Sequence, residues 1–584
     1  MSNNEFRDII TSDSDDEEFE GFDPIDVINA EYDEINDLEN VELGDEDLRD
    51  ILNEIDREER DVFFEAYDHD WLRNFNVDSG PTNIDDESSP YEIFSKFVDN
   101  EVLELLVEQT NLYYDQYLVA KGGIENLPTY SRFRSWTPVD MPEMKVFLAI
   151  ILYQGLVRLP NYDMYWSTND LINLKSITSY MTRDRFYNIL SFVHACDNSA
   201  EPPRDSPNYD PGYKISRLSS MLVNKWKQAY KPKREVSIDE TLVPYKGRTK
   251  LLQYIPNKPH KWGLKVWTLA DAKSGYVWNW MLYTGKHTHD QQARGATHQI
   301  VMTLCDPLLN LGHHVYCDNY FTSPALFEDL ADNQTGACGT LRVNRVGVPR
   351  EVKTAKLNKG DPPLNHRDGR KLYITWHDKR LVHVLSTVHN GSTFTKRVRS
   401  RFHADYVREV DHPKSIQLYT HFMGGVDLAD QQTQYCVTLH KMLKWWKKLF
   451  LCNLLEVTVV NAKIIYKELP INVNKRVKSE KFHLEIITGL LDGYDVQTRP
   501  FRRPVSNPPM RLAGRHFPRL NPKMIGGGRR SSPDCEVCSN RTVKRHQTQY
   551  FCAECEKPMC AYPCFERYHT LKDYKINCTA ALHS

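Results

Sequence analysis

Long apolar runs are missing from this chain. The longest, Val146 to Tyr153, has eight residues out of 584 and suits a core helix or strand. A bilayer-crossing helix needs roughly 20. The N-terminus, MSNNEFRDII, has neither a basic nor an apolar stretch, so no secretory signal is expected. Cysteine is sparse through the body. Six of the 13 are scattered singly and seven fall between Cys535 and Cys578. That clustering argues against a disulfide framework and for metal binding in a reducing compartment. Asp and Glu vanish from 496–533, where nine Lys+Arg and many prolines form a basic linker unable to build a core. A Gly-rich phosphate loop is also lacking, because Gly526-Gly527-Gly528 lies in that linker without a preceding strand.

What is present is a hidden charge asymmetry. The net charge is −5, yet residues 1–60 hold 24 acids and four arginines, leaving +15 on the rest. A basic body suits a polyanion, nucleic acid first, although scattered solvated charge gives the same total. Residues 1–88 read as an acidic, disordered tail, either an interaction segment or a solvating one.

Helical spacing begins at Ile93, Phe94, Phe97 and Val98, and recurs to Tyr230, which predicts a mainly helical domain over 89–234. Strand signals follow. Glu235–Val243 alternates, Trp262–Ala270 and Gly275–Tyr283 read as a hairpin, His313–Asp318 as a short strand, and 371–389 as a second hairpin. Apolar positions from Leu439 to Val457 predict one long helix over Asp427–Tyr466. The expected class is α/β, ending in a Cys/His module at 534–572 after a linker over 471–533.

Three segments place acids where strands or helices end: Asp239 in SIDE, Asp318 in VYCDNY, and Asp427 with Asp430 in GGVDLAD. Asp427 and Asp430, three apart, share one helix face. Carboxylates that converge repel unless cations neutralise them, and Mg²⁺ or Mn²⁺ suits all-oxygen ligands. Such a site supports phosphodiester cleavage. The bland alternative is a helix cap at Asp427 or Asp430 and turn residues at Asp239 and Asp318.

The phrases VSIDETLVPYKGR (236–248), QYIPNKPHKWGLKVWTLADAKSGYVW (253–278), GHHVYCDNYFTSPALFEDL (312–330), GACGTLRVNRVGVP (336–349), FMGGVDLADQQTQY (422–435) and KWWKKLFLCNLLEVTVVNAKIIY (444–466) resemble the piggyBac transposases. The similarity is greatest to the group called piggyBac transposable element-derived protein 4-like. It runs in order from about Ser89 and includes the tail CAECEKPMCAYPCFERYHT (552–570).

The resemblance implies an RNase H-like core split over 235–345 and 421–470, with a β-rich insertion at 346–420 and a helical body for dimerisation and DNA binding. It implies catalytic, Mg²⁺- or Mn²⁺-binding Asp239, Asp318 and Asp427, with Asp430 as a fourth acid. The implied partner is double-stranded DNA, cut at element ends through hairpins and joined at TTAA, by a nuclear homodimer. Intact aspartates favour an active enzyme, while a domesticated DNA-binding descendant and a zinc-module scaffold remain alternatives.

Lys441, Lys444, Lys447 and Lys448 interleave with Trp445 and Trp446, a pattern for phosphate contacts beside an aromatic that packs on backbone or an extruded base. Lys246, Arg248, Lys258, Lys261, Arg342 and Arg345 add cations near the strands. The same residues also fit an amphipathic helix and surface ion pairs. Cys535, Cys538, Cys552, Cys555, Cys560, Cys564 and His569 carry two Cys-x2-Cys knuckles, a strong Zn²⁺ signature. Two ions need eight ligands and seven are evident, so Cys578, His546 or Asp573 is the expected eighth, unless one ion suffices.

Overall fold

The computed structural model describes residues 71–494 and 516–575, apart from 170, 173, 175–178, 257, 259, 286–294, 400–406, 439, 522–529, 541–544 and 572–573. Two compact units result, Met1–Val496 and Gln497–Ser584.

The first unit opens with five helices, four of which start at a capping side chain. In α1 (Pro90–Phe97) the Ser89 side chain accepts from Glu92 N–H, and the Glu92 carboxylate accepts from Ser89 N–H. This reciprocal cap satisfies two donors that a helix start leaves open. The side chains of Asp99, Asp140 and Thr182 each accept one backbone N–H at the start of α2 (Asn100–Ala120), α3 (Met141–Leu156) and α4 (Arg183–Phe192); α5 (Tyr213–Ala229) follows Gly212 without a side-chain cap. Arg185 on α4 forks onto the buried Glu143 carboxylate of α3 at 2.8 and 2.6 Å, which locks the two helices together.

A nine-stranded sheet follows. Its strands are β1 (Glu235–Pro244), β2 (Leu252–Tyr254), β3 (Trp262–Asp271), β4 (Val277–Leu282), β5 (His314–Cys317), β6 (Gly336–Thr340), β7 (Leu364–Asp368), β8 (Lys371–His377) and β9 (Leu381–Ser386). The spatial order is β2-β3-β1-β5-β6-β9-β8-β7, with β4 also on β3. Among the described residues, only β1-β5 and β5-β6 pair in parallel. The two expected hairpins are the antiparallel pairs β3-β4 and β8-β9. Helix α6 (Ala296–Cys305) precedes β5, and α7 (Pro324–Asp332) links it to β6.

Four expectations change. Residues 71–88 are not part of a tail. Phe75 packs edge-on against His313, Arg73 Nη1 donates to the Asn310 carbonyl at 2.8 Å, and Gly80–Pro81 pairs with Tyr230–Lys231. Aromatic anchors outweigh acidic composition there, and residues 1–70 lie outside the described residues. The segment 346–420 is β-rich but not a separate block. Its strands β7, β8 and β9 extend the main sheet, and only the ribbon β10 (Thr393–Arg399) with β11 (Val407–Pro413) stands off it. Part of the expected linker is a packed helix, α11 (Ser479–Leu491), which buries Phe482, Ile486, Ile487 and Leu490.

The fourth change concerns the long helix. After α8 (Lys414–Met423), the chain forms α9 (Gly425–Tyr435), breaks, and resumes as α10 (Trp445–Glu468) with a π turn at Phe450–Leu454. Helical spacing was real on both sides, but tertiary packing interrupts it. At the break, Arg158 Nη2 donates to the carbonyls of Gln434 and Tyr435 at 3.2 and 2.9 Å. The next residue, Cys436, presses its backbone oxygen onto Gly155, where a Cβ would lie 1.6 Å away. By length and composition α10 could cross a membrane, yet 89% of its apolar window is buried inside the protein. It is the central core helix.

Gly155→Ala should therefore force α3 away from the break and lower stability by roughly 1–3 kcal/mol. Urea unfolding checks this, and an unchanged midpoint would contradict it. A second prediction concerns the ion pair between His483 on α11 and Glu456 on α10, at 2.6 Å with side chains 2% and 4% exposed. Burial opposes charge on His483, but the Glu456 carboxylate overrides it and the imidazole rises to about 10. A raised folded-state value stabilises fully below the unfolded value of about 6.5 and is lost as pH climbs toward 10. Glu456→Gln should cost roughly 3–5 kcal/mol at low pH. The gap to wild type should narrow as pH rises, whereas a gap constant with pH would contradict the pairing.

Candidate functional site

Strand β1 occupies the middle of the sheet, and its parallel neighbour β5 is shorter. Pairing stops at Ile238 opposite Cys317. Asp239 and Asp318 are the next residues on each chain, so both carboxylates leave adjacent strands at the same level. The chain after β5 turns tightly. Asp318 Oδ1 accepts Tyr320 N–H at 2.8 Å, and the Asp318 carbonyl accepts the Thr322 hydroxyl at 2.8 Å.

Helix α9 crosses the same strand. Gly425 approaches so closely that a Cβ would sit 2.4 Å from Ser237 Oγ and 2.8 Å from Ala272 Cα. Further along, Thr241 Oγ1 donates to Asp430 Oδ1 at 2.8 Å. Ser237, Asp239 and Thr241 alternate onto one face of β1. Ser237 meets the start of α9 and Thr241 meets Asp430. Asp239 lies between them on β1.

Electrostatics ties these groups together. Burial pushes Asp239 up to about 7, and the charges of Glu240 and Asp318 add to it while Lys258 opposes. Burial likewise lifts Asp430 to about 7, with Asp427 adding and the Thr241 hydrogen bond and Lys258 opposing. Asp318 is also raised by burial, then drawn back by Tyr320 and Phe321 N–H groups, Arg342 and Lys265. Asp427 itself is exposed. The structure thus brings Asp239 to Asp318 and Asp427 to Asp430, with Lys258 acting on both pairs and its Nζ donating to the Glu240 carbonyl at 2.9 Å. No three of these carboxylates close to within 4.8 Å of one another. An oxygen-only donor set, half-buried and already drawing an ammonium, suits a hard divalent cation.

The second unit is built around sulfur. It has β12 (Pro518–Leu520), β13 (Tyr550–Cys552), β14 (Lys557–Pro558) and α12 (Cys564–Thr570). One group gathers Cys535, Cys538, Cys560 and Cys564, and another His516, Cys552, Cys555 and His569, with ligand atoms in each within 4.8 Å of one another. The knuckles interleave along the chain, a cross-braced arrangement. His516 Nδ1 lies 3.3 and 3.4 Å from the Cys552 and Cys555 sulfurs, and His569 Nε2 lies 3.6 Å from Cys555. His569 Nδ1 sits 2.7 Å from the Phe565 carbonyl, which orients Nε2 toward the sulfurs. Donation from Cys564 holds Cys535 down to about 4, while burial pushes Cys538 up to about 12. Cation binding to such a group favours the ionised thiolates. Both donor sets suit Zn²⁺.

Residues 89–463 match the family model described as Transposase IS4. The chain belongs to the piggyBac-type transposase family. The human PiggyBac transposable element-derived protein 3 is 27% identical over 501 residues, covering 82% of this chain and 76% of that protein. Human PiggyBac transposable element-derived protein 5 is 22% identical over 439 residues, covering 71% and 78%. A solved piggyBac transposase synaptic complex with hairpin DNA shares the fold at a TM-score of 0.60 and 21% identity, covering 83% of this chain and 98% of that one.

Against this transposase frame, the basic residues separate. Lys246, Arg248, Lys261, Arg342 and Lys441 are exposed, and Lys444 and Lys448 are half-buried. Arg342 Nε donates to Asn319 Oδ1 at 2.7 Å, and Arg345 Nη2 donates to the carbonyls of Asn319 and Tyr320, bracing the turn after Asp318. Lys447 does not reach solvent. It is buried and donates to the Leu190 and Ser191 carbonyls at 2.8 and 2.7 Å, satisfying the end of α4. Trp445 and Trp446 are core residues, 4% and 2% exposed.

Among the described residues, the eighth candidate donor is one that the sequence reading did not name. The structure gathers His516, within the acid-free linker and remote in sequence from any Cys-x2-Cys knuckle, as the fourth candidate donor beside Cys552, Cys555 and His569, and the sequence marked it with no spacing signal. Cys578 and Asp573 lie outside the described residues, and His546 is in neither group. The purified protein should carry two Zn²⁺ per chain by elemental analysis. His516→Ala should release one of them to a chelator far faster than wild type, whereas identical release would remove His516 from the ligand set.

Proposed function

We propose that this chain is a metal-dependent DNA transposase that nicks the ends of its element and joins them to TTAA targets. The observation that carries the reading is the placement of Asp239 and Asp318 at one level on adjacent parallel strands, with α9 packed on the same strand β1 through Gly425 and Asp430. This placement supports reading the sheet as an RNase H-like catalytic core. Asp239, Asp318 and Asp427 would hold Mg²⁺ or Mn²⁺, with Asp430 supporting them through Thr241. When bound, such ions supply activation of the attacking oxygen and stabilisation of the leaving one.

The remaining work falls to the chain's own groups. The Asp318 turn, braced by Arg342 and Arg345, fixes one carboxylate. Gly425 lets α9 come down onto β1 and so sets the distance of Asp427 from Asp239. Exposed Lys246, Arg248, Lys261 and Lys441 supply phosphate contacts whose strength falls with salt. The sulfur-built unit, with Zn²⁺ bound, is a second DNA- or chromatin-recognition module. A homodimer acting in the nucleus completes the proposal.

The test is nicking of DNA carrying the inverted repeats that flank the gene, bounded by TTAA, in the presence of Mg²⁺. Asp318→Asn should reduce the rate on the order of 10³-fold or more, about 4 kcal/mol of barrier, while DNA binding is retained. Equal inertness of wild type and Asp318→Asn on those ends would overturn the enzyme reading and leave a DNA-binding descendant without catalysis.

A further inference from the structure

The aromatic expected to meet an extruded base is buried, since Trp445 and Trp446 belong to the core. A different aromatic stands beside the carboxylates. Tyr320, two residues after Asp318, is 37% exposed. Its ring lies nearly parallel to Trp267, with centroids 5.8 Å apart and planes at 22°, and Phe321 meets it edge-on at 5.2 Å.

Lys265 adds a cation to this stack. Its Nζ is 3.8 Å from the Trp267 ring centre and 4.9 Å from that of Tyr320. Its nearest carboxylate oxygen is Glu240 Oε2 at 3.8 Å, beyond hydrogen-bonding range, and its side chain is 13% exposed. An ammonium with three donors and no short partner among the described residues has capacity left for a phosphate oxygen. The Tyr320 backbone is held at both ends. Its N–H bonds Asp318 Oδ1 and its carbonyl takes Arg345 Nη2. The ring is therefore positioned before any ligand arrives, which lowers the entropy lost on binding.

We propose that Tyr320, backed by Trp267 and Lys265, is a stacking platform for one unpaired nucleobase next to the phosphate that is cut. The inference rests on the DNA-processing reading above and deepens it by naming the substrate state, a base outside the duplex stack. One face of Tyr320 rests on Trp267 and the other takes the base. Lys265 meets the adjoining phosphate. Every base has a π face, so this platform tolerates sequence and selects for an unpaired nucleotide. Phosphate contacts elsewhere supply most of the affinity.

The experiment uses the full-length protein and a DNA hairpin with 2-aminopurine in its unpaired loop. Binding is followed by anisotropy and stacking by quenching of the aminopurine. Wild type and Tyr320→Phe should bind and quench. Tyr320→Leu should bind within a few-fold of wild type yet lose most of the quenching, with a roughly tenfold or larger loss in cutting next to the loop. Thermal unfolding of Tyr320→Leu is compared with Tyr320→Phe to show that both fold. Quenching by Tyr320→Leu equal to wild type, with binding intact, would overturn the platform and leave the transposase reading standing. Failure of wild type to bind the hairpin would overturn both.

Discussion

The site depends on the early end of one parallel strand pair. Strands β1 and β5 run together only to Ile238 and Cys317. Beyond that point β1 continues without its parallel neighbour, and Asp239 and Asp318 face the opening. Had β5 continued, these carboxylates would lie within a closed sheet, where unpaired charge is expensive. Here they are half-buried, and the expense shows as proton affinity raised to about 7 at Asp239. Cations relieve it, with Lys258 acting on Asp239 and Lys265 on Asp318.

The rest of the first unit holds this opening at fixed geometry. The capped helices build an apolar body around α10, and Lys447 spends its charge inside it by closing α4. Gly425 brings α9 onto β1, and the Gly155–Cys436 contact ends α9 soon after its acids. Arg342 and Arg345, which read as DNA contacts from sequence, also hold the turn between Asp318 and Tyr320. The second unit relies on different physics. Its small apolar cluster includes the cysteines themselves, so ligand geometry takes the place of a large core.

Local signals were legible in the sequence and long-range ones were not. The β3-β4 and β8-β9 hairpins follow from apolar runs and short connections. Asp239 and Asp318 were visible as acids on short apolar strands, and Asp430 as an acid sharing one helix face with Asp427. The break after Tyr435 was not, because Arg158 and Gly155 impose it from 277 and 281 positions away. Lys447 read as a surface cation because nothing local reveals that its partners are two carbonyls at the end of α4. His516 has no nearby cysteine, and the docking of 71–88 depends on His313 and Asn310. In each case the deciding partner is remote in the chain.

The central claim is that carboxylates remote in sequence share a divalent cation. Electron paramagnetic resonance of Mn²⁺ titrated into the zinc-loaded, DNA-free protein tests it most directly. Bound Mn²⁺ is predicted for wild type, with binding strongly weakened by Asp239→Asn and by Asp318→Asn separately. Equal Mn²⁺ binding by wild type and both variants would contradict the account.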